Sequence, residues 1–394
     1  MSPVRRPLRR ARGRARAQSP ASALACWALS LPGLATGQRL VAALAEMPWV
    51  APDGSTVAEC RLLAPARIRA LAGTIGETGL VPFARFADAL ARDFRTFRGH
   101  VIIGAAGIAV RALAPLLRHK SVDAPVVVLD AGGRFAVSLL SGHWGGGNSL
   151  ARHVASLLGG EAIITTASDG VSDGPPPLDE LARGAGLRIL DWDKLPRVAA
   201  ALLEGDAVPL SDPLSCLPGA APPRFRRGAE TASGDIPLVR IHWKHTPPGP
   251  GVLRMAAPLL HAGVGARRGV PAGDIVAAVR AALAEHGLEA AALASLATVT
   301  EKAAEPGLTE AARRLGVPLL AFPAPRLAAV AVPHPSPAAG AHFGLPPFSV
   351  CEAAALLAAQ ETRPDGLSVL LAPKTVFQGS ITVAVAVCQG EPPC

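Results

Sequence analysis

The run Ser141-Gly142-His143-Trp144-Gly145-Gly146-Gly147-Asn148 sets a titratable ring, a hydroxyl and an amide among glycines. An imidazole in such a loop is partly exposed and can move a proton near neutral pH, although it equally suits a surface or structural role. Glycines let the backbone approach a ligand, and Asn148 suits the cap of a following helix. No G-x-S-x-G elbow surrounds Ser141, so no serine nucleophile is assigned. Asp130 and Asp169 each follow an apolar run, where a carboxylate either faces a ligand or caps a turn. His143, Asp169 and Asp130 are therefore the candidate catalytic residues.

A second set suits binding. Gly104-Ala105-Ala106-Gly107 lies between a strand and a helix, and a helix amino end offers N–H groups to an anion. It is neither G-x-G-x-x-G with a ribose-binding acid nor a G-K-[ST] loop, which disfavours nicotinamide and P-loop chemistry; a turn that only satisfies packing fits it too. Arg111 follows one turn into the helix. Arg267 and Arg268, beside Gly263 and Gly265, suit a bidentate grip on carboxylates. Glu301, Lys302 and Lys374 follow strands, a place for ligand contacts or for a solvated rim. With Gly142, Gly145, Gly146 and Asn148, the binding candidates are Gly104, Gly107, Arg111, Arg267, Arg268, Glu301 and Lys374. The six cysteines are scattered without a C-x-x-C pair, and His242 and His245 lack a third ligand nearby. No protein metal site is expected.

These residues need elements to hold them. The amino half reads as alternating strands and helices, hence a mainly parallel sheet. Ala25–Leu31 is a strand, Pro32-Gly33 a turn and Thr36–Leu44 a helix. His100–Ile103 is a strand and Ile108–Leu117 a helix. Val126–Leu129 and Phe135–Leu140 form a hairpin, Ser149–Leu158 a helix, and Glu161–Thr166 a last strand. The middle, rich in proline and glycine, reads as small and loop-rich. The carboxyl half restarts the rhythm: a strand before Gly263-Val264-Gly265, a helix near Asp274–His286, and a strand at Leu293–Thr300. A helix at Leu308–Leu315 and a strand at Val317–Phe322 follow. Ser349-Val350-Cys351-Glu352 is a capping-box pattern opening a helix at Ala353–Ala359, before a hairpin of Ser368–Ala372 and Ile381–Val387. The fold class is α/β, multi-domain, with mainly parallel sheets flanked by helices. The domains are a leader at 1–24, an amino-terminal domain at 25–171, a middle domain at 172–254 and a carboxyl-terminal domain at 255–394.

Composition narrows the function. Half of the 394 residues are apolar and 18% are charged, which fits globular domains. The net charge of +9 owes much to seven arginines within the first 16 residues, a dispensable leader by this reading. With that leader removed the body is nearly neutral, so no nucleic-acid partner is expected, and no apolar stretch is long enough to span a bilayer, so no membrane partner is expected either. The leader and the apolar run Ala21–Leu31 also resemble a signal peptide. A strand, glycine turn and helix fit the rest of the chain better, so a cytoplasmic protein is expected.

The segments GIAVRALAPLL, VVVLDAGGRFAVSLLSGHWGGGNSLA and IITTASD resemble the amino-terminal domain of the cobalt-precorrin-5A hydrolase family, the CbiG proteins of cobalamin biosynthesis. GVGARRGVP, TEKAAEPGL, FSVCEAAAL and LAPKTVFQGSITVAVA are similar to that family's carboxyl-terminal domain, which also exists as a separate small protein. The resemblance covers about Ala25–Val387, weakest in the middle. Ala266 stands where the family usually has Cys, which argues against an essential thiol there. Trp144 stands where it usually has Leu. The resemblance implies a hydrolase that opens the δ-lactone of a cobalt-bearing tetrapyrrole and releases acetaldehyde. It implies no protein cofactor, because cobalt arrives with the substrate, and other corrinoid-pathway enzymes as partners. Lactone opening then suggests His143 as base, Asp169 or Asp130 to orient or replace it, and the N–H groups of Gly145 to Gly147 to hold an oxyanion. A non-catalytic carrier of corrinoid intermediates and an exported binding protein are the alternatives.

Overall fold

A computed structural model of the chain describes residues 23–71, 80–166, 177–217, 224–364 and 366–389. Residues 1–22 of the expected leader and Asp169 lie outside these residues, while Ala23 and Leu24 belong to the first strand rather than the leader. The chain divides between Ser172 and Asp173 into two compact units.

The first unit is wound around one sheet. Its elements are β1 (Ala23–Ala28), α1 (Leu31–Glu46), β2 (Trp49–Val50), β3 (Thr56–Val57), β4 (Glu59–Pro65), α2 (Ala66–Leu71) and β5 (Leu80–Phe83). Then come α3 (Phe86–Asp93), β6 (Gly99–Ile103), α4 (Ala106–Leu113), β7 (Val126–Leu129), β8 (Phe135–Leu140), α5 (Gly147–Leu158) and β9 (Glu161–Ile163). The strand order is β5-β4-β1-β6-β7-β8-β9, parallel except where β8 pairs antiparallel with β7. Every residue of β1, β6 and β7 is buried, as expected of parallel strands covered on both faces. Successive side chains point to opposite faces. Leu24, Cys26 and Ala28 meet Leu34, Leu40 and Val154 of α1 and α5, while Ala25 and Trp27 meet Leu90, Phe94 and Leu113 on the α3 and α4 side.

Pro32-Gly33 is not a turn. The helix begins at Leu31, with Pro32 in its first turn and Ser30 Oγ accepting from the Gly33 N–H at 3.2 Å. Proline is tolerated there because that N–H has no intrahelical partner to lose, and the serine cap outweighs the turn reading.

The second unit holds two sheets. The first is built from α6 (Leu178–Gly184), β10 (Arg188–Ile189), α7 (Leu195–Glu204), β11 (Val208–Ser211), β12 (Phe225–Arg227), β13 (Leu238–His242) and β14 (Val252–Ala256), in the order β10-β14-β13-β11-β12. The middle is thus more regular than its proline content suggests. A half-buried ion pair ties it together: the Asp191 carboxylate accepts from Arg254 Nε and Nη2, each at 2.8 Å, and from the Arg254 backbone N–H at 2.9 Å.

The second sheet is built from β15 (Leu260–Ala266), α8 (Ala272–Glu285), β16 (Leu293–Val299), α9 (Pro306–Leu315), β17 (Leu319–Phe322), α10 (Ala324–Ala328), α11 (Pro337–Phe343), α12 (Val350–Thr362), β18 (Leu367–Phe377) and β19 (Ile381–Gln389). Its order is β17-β16-β15-β19-β18, with β15, β16 and β17 parallel and the β18–β19 hairpin antiparallel against β15. Ile275, Val279 and Leu308 of α8 and α9 fill one face. The alanine-rich α12 fills the other, with Ala353, Ala354 and Ala358 against Ala297 and Val299. Close approach is the reason for Gly263: a Cβ there would overlap the Cys351 carbonyl oxygen.

Candidate functional site

The glycine-rich loop joins the end of β8 to α5. Ser141 is held at φ 53°, a left-handed conformation uncommon outside glycine, and its Oγ donates to the Asp123 carbonyl at 2.9 Å. Gly146, at φ 87°, is the residue that precedes α5, and a Cβ there would press on Pro52 at 2.5 Å. Asn148 does not cap the helix. It is buried, its Oδ1 accepts from Ser138 Oγ at 2.8 Å, and its Nδ2 donates to Thr166 Oγ1 at 3.2 Å. The loop's N–H groups turn inward too: Gly146 donates to the His143 carbonyl at 3.2 Å, Gly147 to the Ser141 carbonyl at 2.9 Å and Asn148 to the Gly142 carbonyl at 2.9 Å. An oxyanion reaching Gly146 or Gly147 would first have to displace these bonds. His143 is half-buried in this loop.

The other amino-terminal candidates lie elsewhere. Because β8 runs antiparallel to β7, Asp130 and Ser141 stand at opposite ends of the hairpin. Six strand residues separate the two levels, roughly 20 Å at the usual rise. Asp130 closes the hairpin turn, Oδ1 accepting from the Phe135 N–H at 2.7 Å and Oδ2 from the Gly132 N–H at 3.2 Å. Burial pushes its carboxyl up, but the N–H groups of Phe135, Gly132 and Arg134 and the Arg134 charge prevail and hold it below the usual range. The structure does not bring Asp130 to His143.

Gly104, Gly107 and Arg111 share the Asp130 end of the sheet. Arg111 folds back so that Nη1 donates to the Gly107 carbonyl at 3.0 Å, on the exposed face of α4. Beside this turn the strand order reverses between β1 and β6, the place where open α/β sheets bind ligands. A cleft of about 320 Å³ opens there, lined by Leu29, Pro65, Arg67, Phe83, Phe86 and Ile108. It is mainly apolar and offers contact area rather than acid–base chemistry.

In the second unit the candidates converge. Arg267 and Arg268 are exposed just beyond β15, and Glu301 is exposed just beyond β16, at the same end of the sheet. The N-terminus of α12 lies over the carboxyl half of β15, where Val350 faces Gly265. There Ser349 Oγ accepts from the Glu352 N–H at 3.5 Å, half of a capping box. The Glu352 carboxylate instead accepts from the Lys374 N–H at 3.1 Å and meets His334 Nδ1 at 2.8 Å. Sequence reading saw Glu352 only as a cap and passed over His334. The signal was the run Pro333-His334-Pro335, a histidine fixed between two prolines. Among the described residues, no three His, Cys, Asp or Glu side chains are grouped to hold a metal ion, and no helix is long and apolar enough to cross a membrane.

Three family descriptions match the chain in order: Cobalamin synthesis G N-terminal over residues 88–169, Cobalamin biosynthesis central region over 176–251, and Cobalamin synthesis G C-terminus over 260–386. The chain is 32% identical over 283 residues to the cobalt-precorrin-5A hydrolase of Salmonella typhimurium, covering 64% of this chain and 74% of that protein. It is 29% identical over 278 residues to the cobalt-precorrin-5A hydrolase of Priestia megaterium, covering 67% and 73%. Among solved structures, the cobalamin biosynthesis protein chiG of Agrobacterium tumefaciens is 37% identical over 34% of this chain and 100% of its own, with a TM-score of 0.26. On the ordered match of all three segments and the identity to the Salmonella protein, the chain belongs to the cobalamin synthesis G family, CbiG.

Proposed function

We propose that this chain is a cobalt-precorrin-5A hydrolase of cobalamin biosynthesis, acting in the cytoplasm on a cobalt-bearing tetrapyrrole. The observation that carries the reading is the identity to the Salmonella hydrolase, which spans 74% of that protein. In the finer reading, water adds to the lactone carbonyl, the ring C–O bond breaks, and a two-carbon fragment then leaves as acetaldehyde. Cobalt belongs to the substrate, and the protein supplies proton transfer and charge recognition. Arg267 and Arg268, exposed at one sheet end, suit the substrate's peripheral carboxylates. For the carbon–carbon cleavage that releases acetaldehyde, His143 remains a candidate base, with Asp169 its candidate companion, since the geometry sets Asp130 apart.

The test is incubation with cobalt-precorrin-5A, followed by mass spectrometry of the corrinoid product and an assay for acetaldehyde. Acetaldehyde released in step with product supports the hydrolase. Tight binding with the substrate recovered intact would instead identify a carrier.

A further inference from the structure

Glu352 is 0% exposed. A carboxylate without water needs partners that replace its hydration. Its Oε2 accepts from the His334 N–H at 3.1 Å; its Oε1 accepts from the Lys374 N–H at 3.1 Å and lies 2.8 Å from His334 Nδ1. Burial pushes the carboxyl up, but the hydrogen bonds from His334, Lys374 and Ser349 outweigh it and hold it below the usual range. An ionised carboxylate can only accept, so His334 Nδ1 donates. In the neutral ring that fixes the tautomer, with the proton on Nδ1 and the lone pair on Nε2.

The histidine differs from its partner in exposure. Its side chain keeps 56% of its surface, and among the described residues no protein group takes Nε2. A capping box would send Glu352 back to the Ser349 N–H. Here it reaches a loop 18 residues upstream and aligns a ring there. A buried acid orienting an imidazole whose second nitrogen stays open is the arrangement that makes histidine a directed base.

We propose that His334 is a catalytic base for lactone opening and that Glu352 is its positioning residue, a proposal that rests on the hydrolase reading. Nε2 takes one proton from water as its oxygen bonds to the lactone carbonyl carbon. The tetrahedral intermediate collapses, the ring C–O bond breaks, and Nε2–H returns the proton to the departing oxygen. The net change is the addition of one water. Among the described residues, Lys374 of β18 and Cys351 of α12 are the charged or titratable groups beside the pair, and burial pushes the Cys351 thiol up.

The experiment is single-turnover lactone opening, read by mass spectrometry across pH, for wild type, H334A and E352Q. H334A should fold, bind cobalt-precorrin-5A and lose roughly 10²–10⁴-fold in rate. E352Q should lose less, and the loss should fall on the rate of opening and not on the affinity for cobalt-precorrin-5A, because the ring is present but no longer aligned. A structural role would weaken binding of cobalt-precorrin-5A along with the rate. Since Glu352 is buried, E352Q is first checked by thermal unfolding; if it unfolds, H334A decides alone. Wild type that opens no lactone overturns the functional reading and the dyad with it. An active wild type matched by H334A at every pH overturns the dyad alone.

Discussion

His143 and its expected companions illustrate how one residue type serves two ends. Asp130 has the position of a ligand-facing carboxylate, at the end of a buried strand, yet its oxygens are spent on the hairpin turn. Asp130→Asn should therefore lower stability by about 1 kcal/mol, the typical net value of a hydrogen bond, and leave turnover unchanged; urea unfolding alongside the acetaldehyde assay checks both. His143→Ala should keep the fold and slow single-turnover acetaldehyde release by roughly 10²–10⁴-fold if the ring is a base. A rate near wild type removes it from the mechanism. Arg267→Ala and Arg268→Ala should each weaken substrate binding by roughly 1.5–3 kcal/mol, the range for hydrogen bonds to charged groups, as measured by titration. Loop and charges could be found in the sequence because glycine clusters and paired arginines stand out locally. That Asn148 faces Ser138 and Thr166 rather than the helix end could not, because partners ten and eighteen residues away are set by tertiary packing.

Among the elements, β6 carries a buried test of pH dependence. His100, 0% exposed, has Trp27 Nε1 donating to its Nδ1 at 3.1 Å, and its Nε2 lies 3.0 Å from the Phe94 carbonyl. Indole only donates, so Nδ1 holds the lone pair and Nε2 the proton. Charging the ring would set two donors against each other in a dry site, and burial pushes its pKa down to about 4. Burial does the same to His261 of β15, also to about 4. The unfolded chain binds these protons near pH 6.5, so the stabilisation is complete above that pH and is lost as pH falls toward 4. Near pH 5 unfolding should take up close to two protons from this pair, seen as the slope of unfolding free energy against pH. Element types were legible because fully apolar runs such as Val126–Leu129 and the helical spacing of Ile275, Val279 and Leu283 act locally. Ends were less so: α1 began five residues before the expected Thr36, because Ser30 caps and Pro32 fits the first turn. The middle hid its sheet, since its short strands cohere through long-range ties such as Asp191–Arg254. Asp191→Ala should cost about 1.5–3 kcal/mol, the range for hydrogen bonds to charged groups, by denaturant titration.

For the whole molecule, strand order carries a consequence for synthesis. In the first unit a central strand, β1, is also the first among the described residues, and later strands add outward on both sides. In the second unit's second sheet β19 follows every other described strand yet lies between β15 and β18. A ribosome releases β15, β16 and β17 long before the segment that must pair with β15. During that interval β15 presents an unpaired edge, the kind that invites association with other chains. The first unit can mature while the polypeptide is still being made, whereas this sheet keeps an open edge on β15 until β19 has been made.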